Sequence, residues 1–152
     1  MSDFEAYLFN LIDRYMSTRV TEKYATVTSY DEFNHVAKVM IQPDEFETGW
    51  LRISEQHIGN GWGIVSGLQI GDQVKVSVSQ GDINNGTITG RVHSDQDKPP
   101  VAASGEIVIQ HESGTKITMS ADGGAEINSA AALTITATGA VSLNAASVSI
   151  NG

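Results

Sequence analysis

The chain has 152 residues, no cysteine and a formal net charge of −9, the size of one domain or of a small domain with an appendage. Without cysteine there is neither a disulfide framework nor a thiolate metal site, which fits assembly in a reducing cytoplasm. No run reaches the ~18 apolar residues of a membrane helix, and Asp3 and Glu5 stand where a signal peptide would need an apolar core, so export by that route is not expected.

Residues 1–20 read as an N-terminal amphipathic helix. Ser2 and Glu5 have capping-box spacing. Phe4, Tyr7, Leu8, Leu11, Ile12 and Tyr15 recur at three- and four-residue steps and so share a face. That face either packs on its own domain or docks a partner or a neighbouring subunit.

Residues 21–94 carry the signals of short antiparallel strands. Tyr24–Tyr30 is β-rich, Asp31–Asn34 makes a turn, and Val36–Ile41 follows with Val36, Val39 and Ile41 as its apolar positions. Trp50–Ile53 is a further short strand, and Gly59–Gly63 is a glycine-rich turn around Trp62. Val74, Val76 and Val78 alternate strictly with Lys75 and Ser77. Gly81–Gly86 ends in Asn85-Gly86, a tight-turn signal, before Thr87–Val92 returns. About five such strands suggest a small closed barrel of the OB-fold kind or a relative of it.

Residues 95–104 form a polar linker around Pro99-Pro100. In residues 105–152 the composition shifts to Ala, Ser and Thr, and past residue 120 only Asp122 and Glu126 are charged. Apolar residues now come in pairs separated by one residue: Ile107/Ile109, Ile117/Met119, Ala125/Ile127, Leu133/Ile135, Val141/Leu143 and Val148/Ile150. The steps between pairs are 10, 8, 8, 8 and 7 residues. Each pair predicts a strand of four or five residues with one apolar face, and a short fixed period predicts a stacked β architecture. One chain cannot recover the entropy of ordering this tail from so few side chains, and its steps are too short to enclose an interior. Three chains wound about a common axis can, and closure pairs every strand edge. The expectation is an obligate homotrimer.

Little else carries chemistry. His35, His57, His93 and His111 lie 22, 36 and 18 residues apart, without zinc-ligand pairing. The acidic cluster Asp44-Glu45-Phe46-Glu47 reads as a solvated loop rather than a glycosidase carboxylate pair. No glycine-rich phosphate cradle precedes a helix. No catalytic residue, cofactor or metal is expected, and the chain is not expected to be an enzyme. Residues 21–100 hold 11 acidic against 6 basic side chains, so nucleic-acid binding is not expected either, despite Trp50 and Trp62.

The middle of the chain also carries an ordered series of motifs: Gly49-Trp50-Leu51-Arg52-Ile53, Gly59-Asn60-Gly61-Trp62-Gly63, Ile70-Gly71-Asp72-Gln73-Val74, Gly81-Asp82 and Thr89-Gly90-Arg91-Val92. Asp97-Lys98-Pro99-Pro100 and His111-Glu112-Ser113-Gly114-Thr115-Lys116-Ile117 extend it. The series resembles phage baseplate assembly protein V, the central tail spike family related to the type VI secretion spike. The resemblance covers about residues 24–120 and implies a mainly β trimer: an N-terminal helix, an OB-fold collar, and a C-terminal intertwined triple-stranded β-helix acting as a needle. It implies a structural spike in the baseplate of a virion tail, made in the host cytoplasm, or of a related injection machine, that plugs the tail tube and is driven through the host envelope on sheath contraction. The implied partners are the baseplate hub or tail tube protein and, transiently, the host outer membrane. The alternatives are an OB-fold binding module and a tail-fibre-like receptor- or carbohydrate-binding protein.

On this reading the trimer axis is lined by Ile107, Ile109, Ile117, Met119, Ile127, Leu133, Ile135, Val141, Leu143, Val148 and Ile150. The tip is Ser149, Ile150, Asn151 and Gly152, and hub docking falls to Phe4, Tyr7, Leu8 and Leu11. The chain departs from the family pattern in three ways: no proline in Gly81–Gly86, no inserted wall-degrading domain, and no His-x-His apex, the last histidine being His111. A blunt needle capped by a separate small tip protein of the PAAR type is therefore expected, without a metal ion at the apex.

Overall fold

Ser2 and Glu5 close the first turn of helix α1 (Asp3–Ser17) reciprocally: the Ser2 amide donates to the Glu5 carboxylate at 2.9 Å, and the Glu5 amide to Ser2 Oγ at 3.2 Å. The computed structural model describes residues 2–17, 19–79 and 81–151 and divides into two units, Met1–Lys98 and Pro99–Gly152. Helix α1 buries none of its residues.

The first unit is a closed barrel. Strands β1 (Val20–Asp31), β2 (Val36–Ile41), β4 (Leu51–Ile53), β7 (Gln73–Ser79) and β8 (Thr87–Arg91) pair in the order β1-β7-β8-β4-β2, and β2 returns to β1. All neighbours are antiparallel except β4 and β8, which run parallel. This is the OB-like barrel expected, with the two-residue strand β3 (Phe46–Glu47) added at the free edge of β2. Closure leaves each strand one inward face, filled by Ala25 and Val27, Ala37, Val39 and Ile41, Leu51, Val74, Val76 and Val78, and Ile88, with Leu68 beside them.

Two bulges bend the strands around this core. Register shifts past Thr28, whose hydroxyl lies 3.2 Å from the Lys38 carbonyl and 2.7 Å from the Glu47 carboxylate. It shifts again past Thr89, whose hydroxyl donates to the Lys75 carbonyl at 3.3 Å. Among the described residues the buried polar side chain is Thr48, which accepts from the Val39 amide and donates to the Gly49 carbonyl.

Four local expectations are corrected. In β2 the small Ala37, not Val36, takes the inward slot, because Val39 and Ile41 fix the phase. β1 begins at Val20 rather than Tyr24, since its first half pairs with β7 and its second with β2. Asn85-Gly86 is not a hairpin turn. Asp82 caps a 3₁₀ turn, Ile83–Asn85, by accepting from the Asn84 amide, and Gly86 follows at φ −66°. Gly86 is demanded by space instead: a Cβ there would lie 2.9 Å from Val76 Cγ1. Finally, Gly59–Gly63 is no simple turn but the bend of a separate hairpin, β5 (His57–Gly59) with β6 (Trp62–Ile64).

Candidate oligomerisation face

The second unit contains one antiparallel sheet, β9 (Ile107–Gln110), β10 (Lys116–Met119) and β11 (Ala125–Asn128). Its turns are built alike. The His111 amide donates to the Thr115 carbonyl at 2.9 Å and the Ser120 amide to the Gly124 carbonyl at 2.8 Å. In each turn the fourth residue is a left-handed glycine, Gly114 at φ 93° and Gly123 at φ 92°. Gly105, at φ 83°, stands nine residues before Gly114, just as Gly114 stands nine before Gly123.

This register aligns the apolar pairs across the sheet. Ile117 opposes Ile109 on one side and Ile127 on the other, and Met119 opposes Ile107 and Ala125. The result is two rows on one face, Ile109–Ile117–Ile127 and Ile107–Met119–Ala125. The other face carries Val108, Thr118 and Glu126 in one row and Gln110, Lys116 and Asn128 in the next. A sheet with one apolar face folds stably only against something that covers it. Here nothing does: no described residue of this unit is buried, and Ile107, Ile109 and Ile127 are each more than half exposed.

The later pairs are placed differently. Leu133, Ile135, Val141, Leu143, Val148 and Ile150 were expected in strands, but residues 129–151 form none. A strand needs a hydrogen-bonded neighbour, and these residues have no left-handed glycine turn to fold the chain back on itself. All six side chains are exposed. From residue 127 to residue 152 no side chain carries a charge. Of the tip residues, Ser149, Ile150 and Asn151 lie in this strand-free stretch, with the Ser149 hydroxyl 3.5 Å from Asn151 Oδ1; Gly152 lies outside the described residues.

On α1, Phe4, Tyr7, Leu8 and Leu11 are exposed, together with Ile12 and Tyr15. The guanidinium of Arg19 stands 4.8 Å from the Tyr15 ring centroid.

Several polar contacts that sequence reasoning missed hold the barrel's loops. Arg91 donates through Nε to Asp72 at 2.7 Å, through Nη1 to Ser66 Oγ, and through Nη2 to the Gly67 carbonyl. Asp72 also accepts from the Gln69 amide at 2.9 Å. His35 bridges Glu55 at 3.0 Å and the Tyr30 hydroxyl at 3.3 Å, and Glu55 accepts from the Ser66 amide. The signal was visible in part: Asp72 and Arg91 are the charged members of two of the quoted motifs. Their role there is to pin the 65–72 loop onto β8. Hydrogen bonds from the Asn34 side chain, then its amide, hold the Asp31 carboxyl below the usual carboxylate range, while Glu22 raises Lys75. Among the described residues, no three His, Asp or Glu side chains gather to hold a metal ion.

Residues 23–93, a little under half of the chain, match the family model described as the type VI secretion system/phage-baseplate injector OB domain. Two type VI secretion system spike proteins of Pseudomonas aeruginosa strain PAO1, VgrG2a and VgrG2b, are each 36% identical to it over 59 residues, or 39% of this chain. A third from the same organism, VgrG1c, is 33% identical over 87 residues, or 57% of this chain. The chain spans only 6% to 11% of the length of these curated relatives.

Proposed function

We propose, for a chain that belongs through its OB domain to the phage-baseplate and type VI secretion spike family, that it is the central spike of a contractile injection machine. It acts as a mechanical part, and no catalytic group is assigned to it. Three copies wind their 105–152 segments into one intertwined β-helical needle, and three barrels form the collar. The rows through Ile117 and Met119 and the later pairs up to Val148 and Ile150 face the common axis. A narrow rod whose backbone groups are all paired concentrates the force of sheath contraction on a small area of the host outer membrane.

The observation that carries this reading is the uncovered apolar face of the tail. Apolar pairs recur at steps of 7 to 10 residues from Ile107 to Ile150, and among the described residues nothing of the same chain buries them. Second and third copies offer the same face in the same phase, and closure leaves no strand edge open. In the same reading α1 docks the hub or tail tube protein through Phe4, Tyr7, Leu8 and Leu11, and a PAAR-like tip protein is a separate partner of the needle. The machine is the baseplate of a virion tail or a related injection machine.

Light scattering of the purified chain, with and without residues 105–152, tests the central claim. A heat- and detergent-resistant species of three times 16.2 kDa, lost on removal of the tail, is expected; a monomer of the full chain refutes it. Deletion of residues 1–20 is expected to abolish hub binding and leave the trimer intact.

A further inference from the structure

The hairpin β5–β6 stands apart from the barrel sheet as a two-stranded unit, and an isolated hairpin is marginal in water. This one is nevertheless built as a rigid arm. Its base is pinned where Arg91 holds Ser66 and Gly67 and where Glu55 accepts from the Ser66 amide. At its far end the Trp62 ring lies 4.8 Å from the His57 ring and directly over Gly59, where a Cβ would fall 2.2 Å from the indole. Gly63, at φ 152°, leaves the position that a Cβ would occupy 2.3 Å from the His57 carbonyl oxygen. These glycines let the indole be held in place, yet Trp62 remains 62% exposed, with Ile58, Ile64 and Val65 also more than half exposed. A pre-organised aromatic anchor on an apolar surface is the form that binding hot spots take.

What covers it is indicated by charge. Copies of a chain with net charge −9 repel one another wherever acidic surfaces meet. The two longest stretches without a charged side chain are residues 127–152 and residues 56–71. The first belongs to the tail, where the copies are proposed to join; the second is the arm. We infer that the arm is the collar's own subunit contact, each copy seating Trp62 and Ile64 on the barrel of the next. Such a head-to-tail contact closes into a ring of three. The inference rests on the trimeric reading above, and its failure can be told apart from the failure of that reading.

The chain has two tryptophans, so Trp50→Phe in the full-length protein leaves Trp62 as the sole indole reporter. Emission and acrylamide quenching are then compared between this protein and the same chain dissociated by Ile117→Asp and Ile127→Asp. The expected result is a blue-shifted Trp62 in the trimer, quenched several-fold less than in the dissociated chain. Ile64→Asp is expected to raise quenching in the trimer while the mass stays trimeric. A trimer whose Trp62 is quenched as strongly as in the dissociated chain overturns the arm proposal and leaves the needle standing, the arm then being free or reserved for another protein. Quenching unchanged by Ile64→Asp also overturns it. A monomeric parent chain overturns both readings.

Discussion

The barrel and the tail use the same alternation of apolar and polar residues to opposite effect. In β7, Val74, Val76 and Val78 are at most 3% exposed, because the sheet curls until its inner face meets itself. In β10, Ile117 and Met119 alternate just as strictly with Lys116 and Thr118 and are 37% and 45% exposed, because three short strands cannot curl. Alternation states that a face must be covered; strand number and connection length decide whether its own chain can cover it.

The sharpest way to break this comparison is to substitute one inward residue in each region. Ile88→Ala, fully buried in the barrel, is expected to cost about 2–5 kcal/mol in urea unfolding followed by a barrel probe. Ile117→Asp in the tail is expected to leave the barrel transition unmoved and abolish the trimer in light scattering; a shifted barrel transition with an intact trimer would reverse the assignment. Next in size, Asp72→Ala removes the acceptor shared by Arg91 and the Gln69 amide and is expected to destabilise the barrel by about 1–2 kcal/mol. Gly114→Ala strains a left-handed turn by about 1 kcal/mol and should lower the heat resistance of the trimer while sparing the barrel.

The smallest expected effect is on pH. The carboxyl of Asp31 is depressed in the folded chain by its bonds from Asn34. Its contribution to stability is therefore present above the ordinary carboxylate range and lost as pH falls through the folded value. Asn34→Ala should flatten the acid side of a urea-midpoint profile; an unchanged profile would remove this contact from the account.

What could be read from the letters follows the same division. The strand carrying Val74, Val76 and Val78 was legible because its residues are β-branched and its phase is strict. The arm was not, because Gly59, Gly61 and Gly63 hide a hairpin inside what reads as a turn. Val36 misled because hydrophobicity outranked phase, and Ala37 took the inward slot. Asn85-Gly86 misled because the same two letters can close a hairpin or follow a capped 3₁₀ turn, and here Asp82 decides. In the tail the positions of the apolar pairs were legible throughout. Only the first three pairs became strands within the chain, since only they are joined by turns with a left-handed glycine.

The uncharged run from residue 127 onward has a further consequence. Salt acts on proteins largely by screening interactions between charged groups, over about 10 Å at 0.1 M, and side chains without charge give it nothing to screen. Screening therefore acts on the acidic barrel and on Glu106, Glu112, Lys116, Asp122 and Glu126, and finds no charged side chain in residues 127–152.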